Sequence, residues 1–301
     1  MDRRKFLLRS TVAGSALLLP ATFAGWWQQA TAARLPDLVR TSGGEPAAAT
    51  RRAVEALGGI QRFVSRGEVV VIKPNIGFDR TPELAATTNP QVVATLAEMC
   101  LEAGAGTVKV FDRPVNDPRR CYVQSGIAAA LEPLEVDLKY IDERRFRDMA
   151  TGGEVLRTWP IYSEAVEADV LINVPIAKHH GLTRLTMAIK NWMGILGGNR
   201  SRIHQRIDQA LAEVAAFIKP TFTVLDATRI LVANGPQGGN PDDVRHPGVI
   251  IAGTDEVAID SLGATLFDLQ GTDLGFIREA LRLGVGEADL DKLLIQEIKL
   301  A

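Results

Sequence analysis

Three lysines and a histidine are the residues of this sequence whose types and spacing best suit chemistry. Lys73 directly follows the apolar run Val69–Ile72, and Lys178 and His179 follow a second apolar run. A lysine buried at the end of such a run needs an acidic partner or an anionic ligand. We therefore predict that the ammonium groups of Lys73, Lys178 and Lys190 converge on one cavity and hold a small anion, while the His179 imidazole moves a proton.

Other polar residues follow predicted strands or begin predicted helices. In open α/β sheets, ligands bind beyond the carboxyl ends of the strands, so these residues are candidates for ligand binding. The catalytic candidates are His179, Lys190 and Lys178. The ligand-binding candidates are Lys73, Asn75, Asn191, Asp226, Gly238, Asp255 and Asp260.

Several of these candidates also have a structural interpretation. Lys190 could form a salt bridge with an acid such as Asp226, and His179 could be a hydrogen-bonded structural histidine or a metal ligand. The glycines around Gly238 form either an anion-binding nest or a turn that needs positive φ. An N-cap role explains Asp255 completely, whereas it explains Asp260 only in part.

Short apolar runs alternate with helical patterns along most of the chain. Continuous apolar runs indicate strands that are buried on both faces, and the intervening helices supply the crossovers of a parallel sheet. We predict an α/β fold, mostly parallel and doubly wound, with helices on both faces of the sheet. The predicted strands are Glu68–Lys73, Thr107–Asp112, Val136–Ile141, Ala168–Val174, Phe222–Asp226 and Val249–Ala252.

The predicted helices include one that begins at Asn89-Pro90 and ends before Gly104, because Asn is a favourable N-cap and Pro suits the first helical position. A helix over Thr183–Met193 would place Thr183, Thr186 and Lys190 on one face, as in the wall of a pocket. Further helices are expected at Cys121–Leu131 and Ser201–Phe217.

The chain divides into an export signal at residues 1–32 and one α/β domain at residues 33–301. Residues 33–66 resemble a helical lead-in, and the irregular stretch 113–162 could form a subdomain. The N-terminus combines Arg3-Arg4 and Phe6-Leu7 with an apolar stretch and Ala30-Thr31-Ala32, which resembles a cleavable twin-arginine signal. We therefore expect a periplasmic or extracytoplasmic protein that meets the membrane only through this signal, if it is uncleaved.

Charge and cysteine content exclude several classes of function. With 34 Lys+Arg against 36 Asp+Glu and a formal net charge of -2, the chain has no basic excess for binding nucleic acid. Cys100 and Cys121 alone supply neither the four thiolates of a usual iron–sulfur cluster nor those of an all-cysteine zinc site. We expect no iron–sulfur cluster from this chain alone and assign no metal ligand; the cofactor and the oligomeric state stay open.

Several segments together resemble the bacterial and archaeal family called domain of unknown function 362. The resemblance covers about residues 65–300 and implies that the family shares the polar positions Lys73, Asn75, Lys178, His179, Lys190, Asn191, Asp226, Asp255 and Asp260. Many members are similar to ferredoxin-linked proteins with additional cysteine motifs, which this chain lacks. A thinner likeness is to lactate racemase. The segments that carry the family resemblance are Val70–Asn75, Asp169–Pro175, Lys178-His179, Ile189–Gly194, Leu225-Asp226, Gly235–Gly239 and Gly253–Asp260.

These features favour an exported enzyme that acts on a small anionic substrate in a pocket lined by lysine and histidine. One alternative is a non-catalytic protein that binds a metabolite or a metal, which would need the same pocket but no proton-transfer residue. Another is an iron–sulfur-linked redox accessory in which a cluster is shared between chains.

Overall fold

The computed structural model describes residues 34–301, and the predicted export signal lies outside the described residues. The strands are β1 (Leu38–Ser42), β2 (Val69–Pro74), β3 (Thr107–Val110), β4 (Asp137–Leu138), β5 (Phe146–Ala150), β6 (Thr158–Tyr162), β7 (Val170–Val174), β8 (Ile176–His180), β9 (Arg184–Thr186), β10 (Phe222–Leu231), β11 (Val244–Arg245), β12 (Val249–Gly253) and β13 (Ile295–Lys299). The α-helices are α1 (Pro46–Ala56), α2 (Pro90–Glu102), α3 (Pro118–Gln124), α4 (Ile127–Leu131), α5 (Ser163–Glu167), α6 (Ala188–Asn191), α7 (Ile207–Phe217), α8 (Glu256–Ala264) and α9 (Gly275–Arg282).

Within the described residues, eleven strands form one mixed and largely parallel sheet. Eight of them follow the order β13-β1-β12-β10-β7-β2-β3-β4, and the other three, β8, β9 and β11, lie off this path, with β11 paired to β10. The central strands β10, β7, β2, β3 and β4 are parallel to one another, whereas β12 is antiparallel to both β1 and β10. Strand β8 continues β7 after Pro175, pairs with β10 and forms a hairpin with β9. The predicted α/β class with a mostly parallel sheet is therefore confirmed.

Apolar side chains cover both faces of the sheet. Val70 and Ile72 of β2 pack with helices α1 and α2 on one face, while Val71 between them packs on the other face with Trp192. The runs predicted to be buried strands are buried throughout β7 and β12. Successive side chains of a strand point to opposite faces of the sheet, so each continuous apolar run contributes to the hydrophobic core on both faces.

The strand and helix predictions were wrong in several places. Residues 33–66 contain β1 before α1, because strand β1 pairs with both β12 and β13. The predicted strand at 136–141 is only Asp137–Leu138, and the helix predicted at 121–131 is two helices, α3 and α4, separated at Gly126, where φ is 74°. The helix predicted from Ser201 begins as the 3-10 segment Arg200–Arg206 and becomes α7 only at Ile207.

The segment Thr183–Met193 is not one helix. Residues Arg184–Thr186 form β9, which places Thr186 opposite Lys178, and a helical segment begins only at Ala188. Likewise, β10 extends to Leu231, so Asp226 lies inside the strand and not at its end. Pairing between strands therefore decides both cases: it forms β9 where the local pattern predicts a helix, and it extends β10 past the polar residue Asp226, where the sequence predicts the end of the strand.

Residues Leu35–Ala301 form one compact unit. The stretch expected to be irregular contains the separate two-stranded sheet of β5 and β6. Its residues Trp159, Ile161 and Tyr162 pack with Trp192 and Ile195, so this small sheet covers one side of the main core. In residues 34–301, no helix is both long enough and apolar enough to cross a membrane.

Candidate functional site

A cavity of about 520 Å³ lies at the carboxyl ends of β2 and β3 and beside β8. This position is where an open α/β sheet binds ligands. The predicted residues Lys73, Asn75, Lys178, Lys190 and Asn191 all line the cavity. The three lysines, although far apart in sequence, therefore meet at one cavity: Lys73 and Lys178 lie on strands β2 and β8, and Lys190 lies on α6.

Lys73 is held by a carboxylate at the floor of the cavity. Its Nζ lies 2.8 Å from Asp112 Oδ1, and both side chains are almost fully buried. The other oxygen, Asp112 Oδ2, accepts a hydrogen bond of 2.7 Å from the backbone N–H of Ile76. Gly194 is required beside this pair, because a Cβ there would overlap both Asp112 Oδ1 and Lys73 Nζ. Lys73 is thus structural, since its charge is already balanced.

A buried network of amides connects this ion pair to a second carboxyl group. Lys73 Nζ donates to Asn191 Oδ1 at 2.9 Å, and Asn191 Nδ2 donates to Asn173 Oδ1 at 2.8 Å. Asn173 Nδ2 in turn donates to Glu256 Oε1 at 2.6 Å, while Trp192 Nε1 donates to Glu256 Oε2 at 2.8 Å. This network fixes the rotamers of the residues beneath the cavity, since each buried polar group has a partner.

The network makes stability depend on pH through Glu256. Burial raises the pKa of Glu256 to about 7, above its ordinary value of about 4.3. The folded state then holds a proton that the unfolded state releases. The stabilisation of the folded state by this proton is complete below about pH 4 and is lost as the pH rises towards 7.

We expect Glu256→Gln to reduce the steepness with which the free energy of unfolding falls between pH 4 and pH 7 by up to about 1.4 kcal/mol per pH unit. Urea unfolding of both proteins from pH 5 to 8 measures this slope; equal slopes would contradict the assignment.

Lys178 is buried in the wall of the cavity, and no carboxylate of residues 34–301 pairs with it. Its Nζ donates to the backbone oxygen of Ala86 and lies 3.4 Å from Asn75 Oδ1, and it lies 4.7 Å from the centre of the Phe78 ring. Burial and the nearby ammonium groups, above all that of Lys190, lower the pKa of Lys178 to about 7. Lys178 therefore exchanges a proton near neutral pH.

Lys190 has even fewer partners. Its Nζ donates to Met193 Sδ at 3.3 Å, a weak acceptor, and among residues 34–301 it forms no ion pair with a carboxylate. Burial and the Arg200 guanidinium lower the pKa of Lys190 to about 8. Arg200 donates to the backbone oxygens of Arg113 and Pro114. The cavity thus has a surplus of positive charge, because in the described part of the chain Lys178, Lys190 and Arg200 have no carboxylate partner.

The structure corrects the choice of histidine. His179 does not line the cavity; its Nδ1 accepts a hydrogen bond of 3.0 Å from the N–H of Gly235. His180 lines the cavity, because alternate residues of β8 share a face and Lys178 and His180 are two residues apart. The same alternation, applied to the sequence with Lys178 facing the site, would have selected His180.

His180 is a neutral hydrogen-bond donor towards the cavity. Its Nδ1 accepts hydrogen bonds from the N–H groups of Leu182 and Thr183 at 3.1 and 3.4 Å, so the proton of the neutral ring is on Nε2. Burial, together with Lys190 and Lys178, lowers the pKa of His180 to about 3. His180 therefore remains uncharged at neutral pH and does not take up a proton there.

Four predicted ligand-binding residues lie away from the cavity and stabilise the scaffold. Asp226 accepts hydrogen bonds from the Asn89 N–H and from Thr228 within the sheet, so it pairs with neither Lys190 nor a ligand. Gly238 has φ 59° in the loop after β10, which fits the turn interpretation. The other two residues are Asp255 and Asp260.

Asp255 and Asp260 fix helix starts. Asp255 caps α8, because its Oδ1 accepts from the N–H groups of Val257 and Ala258. Asp260 accepts from the N–H groups of Ala188 and Ile189 at 2.7 and 3.1 Å, at the start of the helix that carries Lys190. Asp260 therefore positions Lys190 without contacting it.

Several residues of the site were not among the predicted ones. His204 is an exposed residue of the 3-10 segment that lines the cavity. Arg200 follows a glycine-rich stretch that carries no periodicity, so the sequence offers no signal for it. The sequence did point to Asp112, because this residue ends the second predicted strand as Lys73 ends the first. The cavity-lining residues that sequence reasoning missed include Asp112, Arg113, His180, Arg200 and His204, whereas Thr186 lines the cavity as expected.

Both cysteines are buried and free. Burial raises the pKa of Cys100 to about 12 and that of Cys121 to about 11, so both thiols are protonated at neutral pH. Within residues 34–301, no group of three or more His, Cys, Asp or Glu side chains is arranged to hold a metal ion.

Residues 70–265 match the family described as Domain of unknown function (DUF362). The chain belongs to this family. The matched DUF362 region begins in β2, ends just after α8 and includes all the lysines of the cavity. A curated protein named thylakoid-associated protein sll1697, from Synechocystis sp., is 29% identical over 247 residues, which is 79% of this chain and 75% of that protein.

Solved structures similar to this DUF362 chain are distant. The lactate racemase apoprotein from Thermoanaerobacterium thermosaccharolyticum is 14% identical, with a TM-score of 0.47 over 76% of this chain. A structural-genomics protein from Thermotoga maritima is 10% identical, with a TM-score of 0.41 over 79% of this chain. The chain spans 56% and 60% of these two structures, respectively.

Proposed function

We propose that this protein is an exported enzyme that acts on a small organic anion bound in the cavity. The observation that carries the proposal is the surplus of positive charge: Lys190 and Arg200 line one cavity, and neither has a carboxylate partner in residues 34–301. Buried charges are ordinarily paired, so a bound anion would supply the missing partner. Export is proposed from the twin arginines and the Ala30-Thr31-Ala32 site of the sequence.

The remainder of the lining favours an organic anion over an inorganic one. Phe78, Met193 and Pro236 contribute apolar surface, and the exposed side chains of Val115 and Leu182 also line the cavity. Thr186 Oγ1 is buried and has no hydrogen-bond partner among the described residues, so it offers one further polar contact to a ligand. A volume of about 520 Å³ lies within the range of small-molecule sites. A carboxylate attached to a short apolar body fits this lining.

Lys178 replaces His179 as the proposed proton-transfer residue. A general acid or base works best when its pKa is near the working pH, and Lys178 meets this condition. His180 contributes a neutral N–H donor, while Lys190 and Arg200 hold the charge of the substrate. This division of roles supports an enzyme over a protein that only binds, because a binding site needs no group that titrates near pH 7.

Thermal melting with a panel of acetate, pyruvate, benzoate and phosphate tests the proposal. An anion present at 100 times its Kd adds roughly 2.7 kcal/mol to the stability of the folded state. We expect the organic carboxylates to raise Tm. Their affinity should fall as the pH rises from 6 to 9, because the ammonium form of Lys190 is lost above about pH 8. An unchanged Tm with every anion, or an affinity that increases with pH, would contradict the proposal.

A further inference from the structure

We propose that Lys178 is a nucleophile that forms an imine with a carbonyl group of the bound anion, so that the substrate class is a small oxo acid. This inference rests on the proposed function and specifies its substrate. Three observations carry it: the hydrogen bonds of Lys178, the charges around Lys178, and the two other cations of the cavity, Lys190 and Arg200, which would hold the carboxylate of the substrate.

The hydrogen bonds of Lys178 match those of a neutral amine. Two oxygens, the backbone oxygen of Ala86 and Asn75 Oδ1, lie within hydrogen-bond distance of its Nζ. A neutral amine has two N–H groups and one lone pair, so two acceptors satisfy both of its donors. An ammonium group would carry a third N–H, and in the described part of the chain no third oxygen accepts it. The lone pair of the amine is then available to a molecule in the cavity.

The charges around Lys178 favour the same form. Lys190 and Lys73 repel a proton on it, and burial removes the hydration that an ammonium group requires. Asp112 acts in the opposite direction, but its oxygens are occupied by Lys73 and by the Ile76 N–H. A lysine that is desolvated beside other cations is a recognised way to activate an amine for attack on a carbonyl group.

The remaining cations define where the carboxylate binds. Lys190 and Arg200 have no carboxylate partner in residues 34–301 and line the cavity together with Lys178. If they hold the carboxylate, the adjacent part of the substrate faces the Lys178 amine. An aldehyde or ketone is a group that an amine attacks reversibly without a further reactant. The arrangement therefore points to a carboxylate that also bears a carbonyl group.

The proposed step balances without an added oxidant or reductant. The lone pair of Lys178 Nζ attacks the carbonyl carbon, and the π electrons of the C=O bond move to oxygen. The oxygen takes up both protons of the amine, relayed within the cavity, and leaves as water while the C=N bond forms. The resulting imine withdraws electrons from the neighbouring carbon atoms of the oxo acid, which activates them for further reaction.

Reductive trapping tests this inference on the full-length protein. The protein is incubated at pH 7 with pyruvate or phenylpyruvate and sodium cyanoborohydride, and the modified peptides are then identified by mass spectrometry. We expect one probe molecule to be attached at Lys178, with at least about tenfold less at the exposed Lys219. A tenfold preference corresponds to about 1.4 kcal/mol. Lys178→Arg, which keeps a basic side chain but is not a comparable nucleophile, should abolish the trapping, and Lys219→Arg should leave it unchanged.

The outcomes separate this inference from the function on which it rests. A rise in Tm with pyruvate together with an adduct at Lys178 supports both. A rise in Tm without any adduct, or with the adduct at Lys190, overturns the imine at Lys178 and leaves anion binding intact. No rise in Tm and no adduct overturns both. Because trapping is mapped on the unsubstituted protein, the test holds even if Lys178→Arg fails to fold.

Discussion

Replacing Lys190 by Met is expected to remove most of the stabilisation by organic anions while making the free protein more stable. Met fills nearly the same volume but removes a buried amine whose hydrogen-bond partner within residues 34–301 is the thioether of Met193. Removal of a charged contact to a buried ligand costs about 2–5 kcal/mol, so an anion at 100 times its original Kd should stabilise the variant by less than about 1 kcal/mol instead of roughly 2.7 kcal/mol. Because the buried amine of Lys190 lacks good hydrogen-bond partners, its removal should stabilise the free protein by about 1–3 kcal/mol.

This prediction is measured by urea unfolding without ligand and by thermal melting with pyruvate or benzoate. Lys219→Met is the matched control, because Lys219 is exposed and lies outside the cavity; it should change neither quantity. A Lys190→Met protein that is less stable than the original and still responds to anions would show that Lys190 serves the fold and not a ligand.

Lys73→Met is expected to have the opposite effect on stability and to destabilise the protein by about 3–5 kcal/mol. The substitution leaves the Asp112 carboxylate buried without its cation, 2.8 Å from where Lys73 Nζ was. It also removes the donor to Asn191 Oδ1. Lys73 and Lys190 are therefore distinguished by the sign of their effect on stability: Lys73 stabilises the fold, and Lys190 lowers the stability of the free protein in order to bind.

The double variant Lys73→Met/Asp112→Asn provides the control for this second prediction. The amide that Asp112→Asn introduces would keep an oxygen for the Ile76 N–H but carry no charge, so part of the loss should be recovered. The free energies of unfolding of the two single variants and the double variant form a cycle. Strictly additive losses would contradict the coupling of Lys73 with Asp112.

The sequence was sufficient to predict the lysines of the cavity because a local feature determines their positions. Lys73 and Lys178 each follow a continuous apolar run, and parallel strands bring their carboxyl ends to the same edge of the sheet. Asn75, two residues after Lys73, was found for the same reason, whereas Lys190 and Asn191 lie on α6. These predictions needed the strand pattern and the direction of the chain but no knowledge of side-chain packing.

His180 and Arg200 were missed for different reasons. His180 was missed although the alternation of β8 indicates it, because the sequence alone did not establish that residues 176–180 form a strand. Arg200 lies in an irregular segment whose position depends on the packing of the main core. Asp226 was misassigned because β10 continues past it, and pairing with β8, β11 and β12 decides that length.

A crystal structure of the protein with the carboxylate that raises Tm most tests the central claim most directly. We expect the carboxylate to lie in the cavity within hydrogen-bond distance of Lys190 Nζ and the Arg200 guanidinium, with the body of the ligand against Phe78 and Leu182. A carboxylate bound elsewhere, with Lys190 still directed at Met193 Sδ, would contradict the proposed site.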